Sequence, residues 1–134
     1  MSKRTQTNSR GAQRPFRFYI ASLGCPKNTV DANAMAVLLQ RSGMDFTLDL
    51  DAADLVIVNT CGFIDLGRQE SMETLDELAQ AMTPQQRLIA AGCWAQREPG
   101  YLLEAVPRID AVLGARSWGE IVSLARHVLA EPSG

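Results

Sequence analysis

The sequence predicts an α/β fold: an open, mostly parallel five-stranded sheet with helices on both faces, Rossmann- or flavodoxin-like. Three observations predict it. Apolar runs of strand length alternate with helical patterns in the order β-α-β-β-α-β-α-β-α, the sign of an open sheet with crossover helices. One run, Leu55–Thr60, is apolar almost without a break, which implies burial on both faces and so a central parallel strand. Finally, three runs end at a glycine or threonine beside a cysteine: Cys25, Cys61 and Cys93, spaced 36 and 32 residues apart. That interval is close to one strand-helix unit.

In chain order, residues 1–15 form a polar, basic head expected to be disordered. Phe16–Leu23 reads as the first strand, and Gly24 lets the backbone turn after it. A helix is expected from about Thr29 to Ser42, with Asp31 in its first turn, Val30, Ala34, Val37 and Leu38 on one face, and Gly43 as its stop. Phe46–Leu50 is a short edge-like strand. After Leu55–Thr60 and Cys61-Gly62, a helix from about Leu66 to Met82 buries Met72, Leu75, Leu78, Ala79 and Met82. Pro84 ends it. Arg87–Ala91 is the next strand, Pro99–Val106 a short helix, and Ile109–Leu113 the fifth strand. Ser117 and Glu120 have the spacing of a capping box for a last helix lined by Ile121, Leu124, Ala125 and Val128. His127, the single histidine, falls late on that helix, where the macrodipole favours it at the surface.

With 134 residues, 46% of them hydrophobic, the chain is one domain able to bury a core. It has no apolar run of membrane-spanning length. Residues 1–17 carry Lys3, Arg4, Arg10, Arg14 and Arg17 and no acid, while the remainder has a net charge of −7. The head is expected to be a solvated tail with at most weak attraction to RNA. Without an apolar segment after the basic residues it does not read as a secretory signal. Three cysteines in strand contexts argue for a reducing compartment, by default the cytoplasm.

In a parallel sheet the three turns fall at the carboxyl edge, where open α/β sheets hold their ligands, so three thiols converge there. Thiolates in such a place suit zinc or an iron-sulfur cluster. Zinc would need a fourth ligand, such as Asp65 or water. A 4Fe-4S cluster held by three cysteines would keep one iron without a protein ligand. The plain alternative is that the cysteines are small buried hydrophobes. Neither a P-loop nor a GxGxxG motif is present.

Ser22-Leu23-Gly24-Cys25-Pro26-Lys27-Asn28 with Asp31, Val58 through Ile64, Gly92 through Arg97, and Pro107 through Gly114 together resemble the amino-terminal domain of the radical S-adenosylmethionine methylthiotransferases. The likeness covers about residues 16–130, and we take 16–131 as the domain. The Gly-Cys-Pro-Lys-Asn and Cys-Gly-Phe-Ile forms are similar to the RimO type, which methylthiolates the β carbon of an aspartate in a small-subunit ribosomal protein. The tRNA-adenosine branch usually has a glutamine-type residue where Pro26 stands, and no Gly-Phe-Ile after the second cysteine.

The resemblance implies that Cys25, Cys61 and Cys93 hold an auxiliary 4Fe-4S cluster. It also places Lys27, Asn28, Asn59, Thr60 and Gln96 around it, where they could hydrogen-bond cluster sulfurs. Family members continue into a radical S-adenosylmethionine barrel with its own three-cysteine motif and then a small RNA-binding-like domain. Neither is in this sequence, so S-adenosylmethionine chemistry is expected only through a radical domain supplied in cis or in trans. The chain would then be a fragment, an excised domain or half of a split enzyme. A tRNA-adenosine methylthiotransferase domain is the alternative within the family, and a non-catalytic ribosome-docking module and an iron-sulfur carrier are the readings from other classes.

Overall fold

The computed structural model describes residues 15–23, 26–61 and 65–130, with 26–28 and 65–66 as backbone only. The strands are β1 (Arg17–Ser22), β2 (Asp45–Phe46), β3 (Leu55–Thr60), β4 (Arg87–Gly92) and β5 (Ala111–Gly114). The helices are α1 (Pro26–Arg41), α2 (Asp65–Ala81), α3 (Cys93–Arg97), α4 (Pro99–Ala105) and α5 (Ile121–Ala130). Short 3-10 turns cover Leu50–Ala52 and Ala115–Glu120.

The strands lie in the order β2-β1-β3-β4-β5, and every pairing is parallel. The expected open α/β sheet is therefore present, wholly rather than mostly parallel. All six residues of β3 and all six of β4 are buried, as continuous apolar strands between two helical layers must be. On one face Phe18, Leu55, Ile57 and Ile89 pack with Met35 and Leu39 of α1 and Ile121, Ala125 and Val128 of α5. On the other face Val56, Val58, Leu88 and Ala90 pack with Leu75 of α2, Trp94 of α3 and Leu102 of α4.

From β1 the chain crosses to the edge strand β2, then back past β1 to β3, and from there onward to β4 and β5. The direction of winding reverses between β1 and β3, and α1 and α2 leave toward opposite faces. Such a reversal opens a crevice at the carboxyl ends of the two strands.

Several expectations need correction. The second strand is only Asp45–Phe46, because Asp49 N donates to Thr47 Oγ1 (3.0 Å) and Asp51 N to Asp49 Oδ1 (3.0 Å). Those local bonds compete with a strand ladder and bend the chain into a 3-10 turn. Helix α1 begins at Pro26, where proline's fixed φ suits the first helical position, so Asp31 is beyond its first turn. Its buried stripe is Ala32, Met35 and Leu39, while Val30 is 64% and Val37 44% exposed. The Ser117–Glu120 capping box does not form: Ser117 is a non-helical kink (φ −108°, ψ 17°) within the 3-10 segment, and α5 starts only at Ile121. The basic head, residues 1–14, lies outside the described residues.

Candidate functional site

The carboxyl edge of the sheet is built by the last residues of β1, β3 and β4. Thr60 of β3 is register-paired with Gly92 of β4, so Cys61 and Cys93 each follow directly from a pair of neighbouring residues on adjacent central strands. On the other side of β3, Ser22 is paired with Asn59, and Leu23 N donates to Asn59 O at 3.1 Å. Cys25 lies outside the described residues. Its described neighbours, Leu23 and Pro26, end the β1 segment and open α1 at this same edge.

Gly92 makes the turn into Cys93. Its φ is +102° and its ψ −169°, a region open essentially only to glycine. A Cβ there would also collide with Thr60 O, Asn59 Oδ1 and Thr60 N. Cys93 is the first residue of α3, half-buried, with its Sγ 3.7 Å from Thr60 O. Cys61 is buried, one residue past the β3 ladder. Its main chain is held by α2 instead: Cys61 N donates to Ser71 Oγ (2.8 Å), and Ser71 Oγ donates to Cys61 O (3.2 Å). A Cβ on Gly67 would stand 2.8 Å from Cys61 Sγ, so any side chain at this position of α2 would crowd the thiol and require a shift.

The residues singled out around the cysteines divide by what they touch. Asn59 and Thr60 are buried at the end of β3. Thr60 Oγ1 donates to Ala91 O at 2.6 Å, which ties β3 to β4. Gln96 lies a turn beyond Cys93, against Gly114, and its Oε1 accepts from Arg116 N at 3.2 Å; it anchors α3 to the end of β5. Lys27 and Asn28 fall in the first turn of α1, and their side chains lie outside the described residues, as does that of Asp65.

His127 is exposed on α5. Its neighbour Val128 accepts, through its carbonyl, from Arg87 Nε at 3.1 Å. Arg87 opens β4 and Cys93 follows its other end, so the histidine belongs to the opposite rim from the thiols.

Sequence reasoning missed α3, Gly67 and Ser71. A signal for Ser71 was available: positions 71, 75 and 78 share one stripe of α2, so the serine was due to be buried beside Leu75.

No ligand set of three is complete among the described residues, where no group of three or more His, Cys, Asp or Glu gathers to hold a metal. The donors that are described fit a thiophilic guest nonetheless. Cys61 and Cys93 are neighbours at one sheet edge and in no disulfide, and soft sulfur donors select zinc or iron-sulfur clusters. The amino ends of α1 and α2 also stand at this edge, and their positive dipole ends favour negative charge there.

No described helix is long and apolar enough to cross a membrane. A family model described as uncharacterized protein family UPF0004 matches residues 17–114, from the first residue of β1 to the last of β5. The ribosomal protein uS12 methylthiotransferase RimO of Herpetosiphon aurantiacus is 46% identical over 109 residues, 81% of this chain and 23% of that protein. Its namesake from Chloroflexus aurantiacus is 44% identical over 109 residues, 81% of this chain and 24% of that protein. That of Symbiobacterium thermophilum is 39% identical over 135 residues, covering 97% of this chain and 28% of its own length. The chain thus spans about a quarter of the length of the curated relatives it matches. A sheet matched from its first strand to its last, with such relatives, identifies the chain as belonging to the UPF0004 family, the amino-terminal domain of the methylthiotransferases.

Proposed function

We propose that this chain, as domain 16–131, is the auxiliary cluster domain of a RimO-like methylthiotransferase acting on an aspartate of ribosomal protein uS12. The observation that carries the proposal is the pairing of Thr60 with Gly92, which starts Cys61 and Cys93 side by side at the carboxyl edge of the sheet, the edge at which β1 also ends. Cys25, Cys61 and Cys93 would hold a 4Fe-4S cluster, leaving one iron without a protein ligand. When bound, such a cluster supplies an iron able to bind the sulfur that is to be inserted.

The protein's own part is to hold three thiolates at fixed positions. The burial of Cys61 keeps water from competing for that ligand. Lys27, Asn28, Asn59, Thr60 and Gln96 stand in the surrounding sequence as the residues to tune it. Cleavage of S-adenosylmethionine would fall to a radical domain, in cis or in trans. The ribosomal protein is the substrate partner, the cytoplasm is the compartment in which it would be met, and the basic head would add weak contact with RNA.

Anaerobic reconstitution with iron and sulfide tests the reading. The chain should turn brown and take up about four irons and four sulfides, and Cys25→Ala, Cys61→Ala and Cys93→Ala should each abolish uptake. A chain that folds and stays colourless would refute the cluster.

A further inference from the structure

We infer that Gly67 and Ser71, four residues apart on one face of α2, are positioning residues that seat Cys61 and aim its thiol. The inference rests on the proposed cluster for its purpose, though not for its geometry. Cys61 stands one residue beyond the last register pair of β3, Thr60 with Gly92. Its backbone N–H and C=O are buried where a strand partner is no longer provided, and buried main-chain groups of this kind need partners. The Ser71 hydroxyl serves both at once, accepting from the N–H at 2.8 Å and donating to the C=O at 3.2 Å. Ser71 is fully buried, so water does not replace it when it is removed.

One turn earlier, Gly67 allows the helix to close on the sulfur itself, since a Cβ there would stand 2.8 Å from Cys61 Sγ. One helix thus meets the cysteine twice, with hydrogen bonds that hold its main chain and a close approach of bare backbone beside its sulfur. Helix α2 is in turn locked to the sheet through Leu75, fully buried in the layer with Val56, Val58 and Leu88. The result is a ligand held in place before any metal arrives, the arrangement that a site needing exact sulfur placement requires.

The test uses the full chain without metal, in a Cys25→Ala/Cys93→Ala background where Cys61 is the sole thiol. Its reaction with a disulfide reagent is timed under native conditions, and urea unfolding of the same samples gives the fraction unfolded. Ser71→Ala should speed the reaction by about tenfold or more, the local opening expected when two buried main-chain groups lose their partner. This acceleration should exceed what the unfolded fraction accounts for. Gln86→Ala, which removes buried hydrogen bonds at the far rim, is the control and should react no faster than its unfolded fraction allows.

Gly67→Ala is the second variant. It keeps both hydrogen bonds and should alter the electron paramagnetic resonance spectrum of the reconstituted, reduced chain. Ser71→Ala reactivity explained wholly by global unfolding would overturn the inference, and so would a Gly67→Ala spectrum identical to that of the unaltered chain. Failure of the unaltered chain to take up iron would overturn the cluster instead, and the thiol rates would still judge the seat.

Discussion

Replacing Gly92 with alanine should be among the costliest single-methyl additions this fold can suffer, and Gly43 supplies the internal standard. Both glycines have positive φ, +102° and +106°. Both therefore incur the backbone strain of an L-residue in that region, about 1–3 kcal/mol. They differ in what surrounds them. A Cβ on Gly43 meets nothing within 4 Å, whereas one on Gly92 runs into the main chain of Thr60 and Asn59 Oδ1. Thr60 is held in the sheet by its pairing with Gly92 and by its own hydroxyl bond to Ala91 O, so it cannot yield as a surface side chain would. Overpacking of that sort adds about 1–3 kcal/mol. Gly43→Ala should then cost about 1–3 kcal/mol and Gly92→Ala about 2–6, a large part of the 5–15 kcal/mol by which a domain is ordinarily stable. Urea unfolding followed by circular dichroism measures both, and fluorescence of Trp94, two residues on, reports whether the turn itself has moved. Equal costs for the two variants would refute the claim that Gly92 is required by close approach of the strands.

Two further outcomes follow from single side chains. Gln86 accepts from Thr83 N at 2.9 Å and donates to Leu50 O and Ala53 O, each at 2.8 Å; Gln86→Ala should cost about 1–3 kcal/mol, chiefly by leaving the buried Ala53 O without its partner, measured by urea unfolding. Thr60→Val keeps the shape of the side chain and removes its bond to Ala91 O, so stability should fall by about 0.5–1.5 kcal/mol while iron uptake stays that of the unaltered chain. Loss of uptake without loss of stability would instead give Thr60 a direct role toward the cluster.

The parts legible in the sequence are those governed by burial on both faces. Leu55–Thr60 is read residue for residue because four successive branched and apolar side chains, in a run too short for a helix, fit a central parallel strand buried on both faces. The end of β4 was legible too, since Gly92 beside Cys93 marks the turn. What escaped depends on partners distant in the chain or on competition between local patterns. Helix α1 carries apolar residues on more than one side, and only the sheet decides that Met35 and Leu39 face inward while Val30 and Val37 face out. The strand at Asp45–Phe46 is cut short by Thr47 and Asp49 bonding to nearby main chain. Ser117 and Glu120 have the right spacing for a cap, but a kink at Ser117 within a 3-10 segment separates them from the start of α5. Ser71 looks like a polar residue on a wet helix until the end of β3 is laid against it.

The most direct test of the central claim is the Mössbauer spectrum of the chain reconstituted with iron-57. If Cys25, Cys61 and Cys93 hold a cubane between them, roughly one iron in four should differ from the rest and shift when sulfide or a small thiol is added. Four equivalent irons indifferent to added sulfur, or iron retained after Cys61→Ala or Cys93→Ala, would contradict the account.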